Sequence, residues 1–185
     1  VGALDQDIVV ETTIDLPIQM AAESAVRNGV KTNKSRGVEQ AALVALDGEG
    51  RVRAYLGGPA YQESQYDRAS NAHRQAGSAF KPFVYLAAFE QAAEDGRADI
   101  TPATMVWDEP TTWTYDEQEW APRNYEDSYD GNITLRRALA LSRNIATIKI
   151  AEHTGFNRVA ALWGRTKVGQ QQLKGYPSIA LGVFE

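Results

Sequence analysis

The chain has 185 residues, 43% of them hydrophobic and 23% charged, so its composition is that of a soluble chain able to bury a core. Its net charge of -5 argues against a nucleic-acid backbone as partner, because no basic patch emerges to neutralise phosphates. It contains no Cys, which excludes disulfides, thiolate catalysis and Cys-ligated metal.

The first thirty residues predict a strand followed by a helix. The β-branched run Ile8 to Thr13 favours an extended strand. Asp15 is expected to cap a helix that has Pro17 in its first turn. That helix is expected to run to about Asn28 and to stop at Gly29.

A β-hairpin and an irregular segment are predicted next. Residues 41–46 and 51–55 read as two strands. The turn between them, residues 47–50, contains glycines that can adopt positive φ. Residues 61–76 are polar and are expected to be irregular.

The second half of the chain is predicted to be mainly helical. Residues 102–131 are expected to form a long connection without regular structure, and such connections often line a cleft. Thr134 is expected to cap one of the helices. The predicted helices cover residues 78–93, 135–141, the segment after 144 up to 153, and 157 to about 167. This order of elements is typical of the α+β class.

Ser78 and Lys81 have the spacing of a serine nucleophile and its base. Pro82 lacks an amide hydrogen and is best tolerated in the first turn of a helix, which places Ser78 at the helix N-terminus. There the free N–H groups favour negative charge, and an amine three residues on can reach the hydroxyl. Burial or nearby positive charge would have to lower the Lys81 pKa before the amine accepts a proton. The alternative is a helix-capping Ser beside a solvated Lys. A chain of this composition is expected to contain, on average, roughly a quarter of one Ser-x-x-Lys match by chance, so the tetrapeptide alone is weak evidence.

Ser142 and Asn144 form a second candidate element. Two residues apart, they cannot share one helical face, but in a turn between two helices both can point into one cleft. A hydroxyl there can relay a proton, and an amide can bind a substrate carbonyl and accept from the Lys. The alternative is that both residues only cap helices. Arg143, between them, is expected to face solvent.

Together the two elements resemble the motifs of the penicillin-binding and serine β-lactamase superfamily, which are Ser-x-x-Lys, Ser-x-Asn and Lys-Thr-Gly. Their flanks are similar to the transpeptidase domain of class A, bifunctional penicillin-binding proteins. The similar stretches are residues 12–16, 41–46 with 53–58, 68–70 with 74–85, and 124–125 with 131–144. Ala76 stands where this family usually has Pro before Gly-Ser, which should change loop stiffness more than chemistry.

The resemblance implies a penicillin-binding, β-lactamase-like α+β fold, with an antiparallel sheet flanked by helices. The chain contains no Lys-Thr-Gly, and Lys174-Gly175 lacks the Thr. Both ends read as cuts in a longer polypeptide. Residues 1–185 are therefore expected to be a partial transpeptidase domain, incomplete at its C-terminus, without the third motif and the closing strands. We expect little or no activity from the chain alone.

The implied activity is that of a peptidoglycan D,D-transpeptidase, which cross-links the cell wall through a serine acyl-enzyme. The resemblance implies Ser78 as the acylated nucleophile, Lys81 as its base, Ser142 as a proton relay and Asn144 as the anchor of the substrate amide. The Ser78 N–H would form half of the oxyanion hole. The implied partners are peptidoglycan stem peptides and β-lactam antibiotics, with no nucleic acid. No cofactor and no metal are implied, and His73 and His153 read as structural or surface residues.

The family also implies a membrane-anchored parent protein on the extracytoplasmic, periplasmic face, with a glycosyltransferase domain before this one. This chain itself contains no targeting segment and no run near the roughly 18 apolar residues of a membrane span. A further alternative is self-association of the truncated chain through its apolar tail and unpaired strands.

Two other functions fit the same motifs. A D,D-carboxypeptidase or a β-lactamase would use water in place of the acceptor amine. A β-lactam sensor or a wall-binding module would keep the fold without catalysis. The flanks of Ser78 favour the transpeptidase.

Overall fold

The computed structural model describes residues 8–115, 117–168 and 173–184, and the chain divides into two compact units, residues 1–73 and 74–185. Helices and antiparallel strand pairs occur together, which confirms the expected α+β class. In the described part of the chain, no helix is long and apolar enough to cross a membrane.

Helix α1 (Leu16–Thr32) begins where the sequence predicts and ends later. The Asp15 side chain accepts a hydrogen bond from the Ile18 N–H at 3.2 Å, and a proline lies in the first turn. The predicted stop at Gly29 is wrong, and the helix continues through it. One glycine costs a helix interior only about 1 kcal/mol, which the rest of the helix can absorb.

The hairpin of the first unit is confirmed. Strand β1 (Leu43–Leu46) pairs antiparallel with β2 (Val52–Leu56). Asp47 shapes the turn, since its carboxylate accepts the Glu49 and Arg51 N–H groups at 2.9 Å each. Helix α1 packs on the hairpin through a small core of Ala22, Val26, Ala54 and Leu56.

Two other predictions for the first unit are wrong. Residues 8–13 form no strand, although the Thr13 hydroxyl donates to the Val52 carbonyl at 2.7 Å. The segment predicted to be irregular contains a one-turn helix, α2 (Arg68–Asn71). Its cap is Asp67, which accepts from the backbone N–H of Ala69 at 3.0 Å.

The prediction that residues 102–131 lack regular structure is wrong, because three short strands lie in the described part of this stretch and a fourth begins at its last residue. They are β3 (Met105–Asp108), β4 (Trp113–Tyr115), β5 (Gln118–Trp120) and β6 (Gly131–Thr134). β3 pairs antiparallel with β6, and β4 with β5. The β3–β6 register sets Asp108 opposite Gly131, so the carboxylate lies at the end of the ladder.

The helices of the second unit agree with the predictions to within a few residues. They are α3 (Lys81–Glu94), α4 (Leu135–Ala140), α5 (Asn144–Thr154) and α6 (Phe156–Thr166). A 3₁₀ turn, Gly77–Phe80, leads directly into α3, and a second one covers Pro177–Leu181. Thr134 caps α4 as predicted, accepting from the Arg137 N–H at 3.2 Å.

Helix α5 is the most buried element of the second unit. It contacts α3, α6, β3 and the second 3₁₀ turn, and seven of its eleven residues are buried. Ile145, Ile148 and Ala151 are completely buried. Truncating either Ile to Ala would cost about 2–5 kcal/mol, so packing holds the N-terminal end of α5 in place.

Candidate active site

Ser78 lies in the 3₁₀ turn immediately before α3, one turn ahead of Pro82, as the sequence predicts. It is exposed. The capping positions of the turn and of α3 are Ala76 and Phe80, so Ser78 is not a helix-capping serine. Gly77 has φ of +53°, a left-handed conformation that glycine adopts without a steric penalty.

The end of the second 3₁₀ turn holds the turn that carries Ser78. The Gly77 N–H donates to the Gly182 carbonyl at 3.1 Å. Gly182 has φ of +66°, and a methyl group there would lie 2.7 Å from Gly77 N and 2.9 Å from Phe80 Cβ. The two turns can therefore pack this closely only because position 182 has no side chain.

Lys81 joins the two sequence elements. It is 1% exposed, so the alternative of a solvated Lys is wrong. Its Nζ donates to the Ser142 carbonyl at 2.5 Å, the Ser142 hydroxyl at 3.1 Å and Asn144 Oδ1 at 2.6 Å. In the part of the chain that the structure describes, the Ser78 hydroxyl is not among these partners.

The surroundings of Lys81 lower its pKa. Desolvation lowers the pKa of Lys81 to about 8, and the nearby negative charge of Asp108 opposes that change. Near neutral pH a minor fraction of the amine is then unprotonated, and that fraction grows as the pH approaches 8. This is the condition that a lysine general base requires.

Ser142 occupies the turn between α4 and α5 with φ of +54°. Positive φ is uncommon in any residue other than glycine, and here it places both the carbonyl and the hydroxyl of one residue against Lys81. Asn144 is the first residue of α5, whose cap position is Arg143, and its Nδ2 donates to the Arg123 carbonyl at 2.7 Å. The alternative in which these residues only cap helices is therefore wrong.

The expectation that Arg143 faces solvent is also wrong. Its side chain is 14% exposed and forms ion pairs with Asp130 and, at 3.7 Å, with Asp108. The two carboxylates come from β3 and from the residue before β6, and this pairing is not visible in the sequence around Arg143.

Sequence reasoning did not identify Asp108 and Asn124 as site residues. Both are buried, with 0% and 3% of their surface exposed. Asn124 Nδ2 donates to both Asp108 oxygens, at 2.9 and 3.0 Å, and Asn124 Oδ1 accepts from the Asn144 N–H at 2.7 Å. The available signal was the position of Asn124 within a stretch that resembles the family, whereas Asp108 stands in a short strand without a local pattern.

Both histidines lie at the surface. His73 and His153 are both exposed, and the His153 ring lies 3.3 Å from the Arg97 guanidinium. Within residues 8–115, 117–168 and 173–184, no group of three or more His, Asp or Glu side chains is placed to hold a metal ion.

Comparison with known proteins points to one family. A family model described as "Penicillin binding protein transpeptidase domain" matches residues 41–183. The chain is similar to penicillin-binding protein 1B of Vibrio cholerae, with 34% identity over 184 residues, 97% of this chain and 23% of that protein. It is also similar to penicillin-binding protein 1A of Aquifex aeolicus, with 37% identity over 147 residues, 79% of this chain and 19% of that protein.

A solved structure supports the same assignment. The PonA1 protein from Mycobacterium tuberculosis, in complex with penicillin V, matches with a TM-score of 0.73 and 28% identity, over 95% of this chain and 46% of that one. This agreement confirms the expected penicillin-binding fold. The chain spans about a fifth of the length of the two curated relatives.

Proposed function

Because this chain belongs to the penicillin-binding protein transpeptidase family, we propose that it carries the serine nucleophile of a peptidoglycan D,D-transpeptidase. The observation that carries the proposal is the buried Lys81 amine, which is bonded at once to Ser142 and Asn144. Two elements far apart in sequence meet at one potential base, next to the turn that bears Ser78. The substrates would be stem peptides of peptidoglycan.

In the proposed acylation, neutral Lys81 takes the proton of the Ser78 hydroxyl. Ser78 Oγ then bonds to the carbonyl carbon between the two terminal D-alanines, while the Ser78 N–H donates to the developing oxyanion. The C–N bond breaks, and the leaving D-alanine amine takes the proton from Lys81 through the Ser142 hydroxyl. Hydrogen bonds of this kind often tighten only when substrate binds, so the absence of a Ser78–Lys81 bond in the described residues is compatible with this step.

The second half of the reaction transfers the acyl group. The amine of a second stem peptide attacks the ester, a new C–N bond forms, and the C–O bond to Ser78 breaks with return of the proton to Ser78. Asn144 would hold the substrate amide throughout. Its NH₂ group has two hydrogens, of which the Arg123 carbonyl accepts one, so the other is available to a substrate carbonyl.

β-Lactams would acylate Ser78 as substrate mimics. The structurally similar PonA1 protein is in complex with penicillin V, which supports this extension. Attack on the lactam carbonyl breaks the ring C–N bond but releases no separate leaving group, so the acyl-enzyme persists.

A fluorescent penicillin tests the proposal on the full-length protein. We expect stoichiometric covalent labelling of the native protein, none of Ser78→Ala, and Ser78-dependent transfer of a stem-peptide acyl group to an added amine with release of D-alanine. Rapid hydrolysis without transfer would favour the carboxypeptidase or β-lactamase alternative. Equal results with Ser78→Ala would favour a non-catalytic module and would contradict the proposal.

We also propose that residues 1–185 are one part of a transpeptidase domain whose Lys-Thr-Gly motif lies elsewhere in the parent protein. The support is that the chain's sequence contains no such motif and covers about a fifth of its curated relatives. The parent would be membrane-anchored on the extracytoplasmic face, with a glycosyltransferase domain. Fast, stoichiometric labelling of the isolated chain would contradict the expectation that it is inactive alone, and light scattering would show whether it self-associates.

A further inference from the structure

Asp108 and Asn124 form a buried polar pair behind the catalytic cluster. Asp108 ends β3, and its two carboxylate oxygens both accept from Asn124 Nδ2, while Oδ2 also accepts from the Asp130 N–H at 3.0 Å. Asn124 Nδ2 also donates to the Ser128 carbonyl at 2.9 Å. The orientation of the Asn124 amide is therefore fixed on its NH₂ side.

The oxygen side of Asn124 faces the start of α5. Asn124 Oδ1 accepts from the N–H of Asn144 at 2.7 Å and from that of Ile145 at 3.4 Å. No side chain of α5's own capping residue performs this task. A side chain from the β5–β6 connection thus caps the helix that begins with the Lys81 partner.

Asp108 also acts electrostatically. A buried carboxylate is unfavourable unless it is paired and hydrogen-bonded, and Asp108 has three hydrogen bonds and the guanidinium of Arg143. Its negative charge raises the pKa of Lys81 and so opposes the larger lowering that desolvation causes. A carboxylate in this position stabilises the ammonium that forms when Lys81 takes the Ser78 proton.

We propose that Asp108 and Asn124 are positioning residues for acylation of Ser78, acting on Lys81 through the turn Ser142–Asn144. Asn124 holds the start of α5 so that Asn144 and Ser142 remain hydrogen-bonded to the Lys81 amine. Asp108 orients Asn124 and stabilises the positive charge that Lys81 gains. This inference rests on the proposed function.

The charges around Lys81 determine in which direction each variant should shift the Lys81 pKa. The charged and titratable groups of this cluster are Asp108 on β3, Asp130 before β6, Arg143 before α5, and Tyr85 on α3, whose pKa burial raises to about 12. Without the Asp108 charge, less opposes the effect of desolvation on the Lys81 pKa, so the pKa of Lys81 falls. Removing the Arg143 charge leaves Asp108 less compensated, so the pKa rises.

The experiment measures the rate of covalent labelling by a fluorescent penicillin on the full-length protein, at pH values on both sides of about 8. For Asp108→Asn we expect the acid limb of the rate profile to move down by roughly one pH unit. For Arg143→Gln we expect it to move up. Asn124→Ala should label roughly 100-fold more slowly, because it releases the turn that holds the base.

Asp130→Asn is the matched control, since its carboxylate also pairs with Arg143 but does not bond to Asn124. Its labelling rate on the plateau should stay close to that of the native protein. If Asp108→Asn does not fold, Arg143→Gln still tests the sign. If these residues have only a structural role, the labelling rates fall but the acid limbs of the Asp108→Asn and Arg143→Gln profiles do not move. That result would overturn the inference. A labelling rate of Asn124→Ala equal to that of the native protein would also overturn it.

The Ser78→Ala variant separates the two proposals. A native protein that is not labelled would overturn the proposed function together with this inference. Labelling that depends on Ser78, with unmoved pH limbs in the Asp108 and Arg143 variants, would overturn the inference alone.

Discussion

Lys81 as an ammonium has three hydrogens to donate, and the three oxygens around it accept one each. In this state it has no acceptor site for the Ser78 proton. Loss of one proton leaves a lone pair and two N–H groups for three neighbouring oxygens. The neutral amine can then turn its lone pair toward Ser78, so the proposed mechanism requires Lys81 to lose a proton before acylation.

The protonation state of Lys81 should make labelling depend on pH. Desolvation places the pKa of Lys81 at about 8, and below that value the folded protein holds the amine protonated. Labelling of the full-length protein by a fluorescent penicillin should therefore rise with pH through about 8 and then level off. The measurement is the labelling rate at constant penicillin concentration, corrected for hydrolysis of the penicillin itself. A rate that is flat or falls across this range would contradict Lys81 as the base.

The residues of the site differ in how far the sequence can predict them. The place of Ser78 was predictable because Pro82 restricts where a helix can begin. The burial of Lys81 was not, since it depends on contacts with Ser142 and Asn144 that lie far away in sequence. Asp108 and Arg143 were missed for the same reason. Their charges pair across strands and turns, and nothing local marks them.

At the scale of single elements, the 3₁₀ turn that carries Ser78 depends on a glycine from the second 3₁₀ turn. Gly182→Ala would place a methyl group against Gly77 N and Phe80 Cβ and impose positive φ on a residue that disfavours it. We expect a loss of about 1–3 kcal/mol in stability and slower labelling of Ser78. The measurements are the labelling rate and the temperature at which labelling is lost, both in the full-length protein.

Gly164→Ala is the control for this substitution. Gly164 lies inside α6 with open space around its Cβ position and without positive φ. Alanine there should stabilise the helix by about 0.5–1 kcal/mol and leave the labelling rate unchanged. Equal behaviour of the two variants would show that position 182 does not support the Ser78 turn.

Helices were predicted better than strands, and the reason is physical. Helix signals are local, as with the caps Asp15 and Thr134 and the first-turn prolines. Strands need partners: β3 is four residues long and finds its ladder in β6, across the whole connection. Residues 8–13 have strand composition, but within the described residues no neighbouring strand pairs with them.

At the scale of the whole molecule, the two units differ in the size of their cores. Among residues 8–73, which are the described part of the first unit, four buried hydrophobic residues form the core between a two-stranded hairpin and one long helix. A hairpin of that size is marginally stable by itself. The second unit encloses α5 on several sides. The order of the elements was enough to predict the α+β class but did not indicate this difference.

Hydrogen exchange followed by mass spectrometry can test the difference. Amides of β1 and β2 should exchange faster than those of α3 and α5, because local opening is easier where little apolar surface is buried. The sample is the full-length protein, so that neither unit is studied as an isolated fragment. Slower exchange in the hairpin than in α5 would contradict the expectation.

The left-handed backbone at Ser142 restricts which natural variants of this position can persist. Thr would keep the hydroxyl, but a β-branched residue is strongly disfavoured at positive φ. Gly and Asn tolerate that backbone, yet neither has a hydroxyl. The proposed proton relay needs a hydroxyl, and Ser is the residue that best combines a hydroxyl with this backbone angle. Exchange of Ser142 should therefore be rare among natural variants that keep the proposed proton relay.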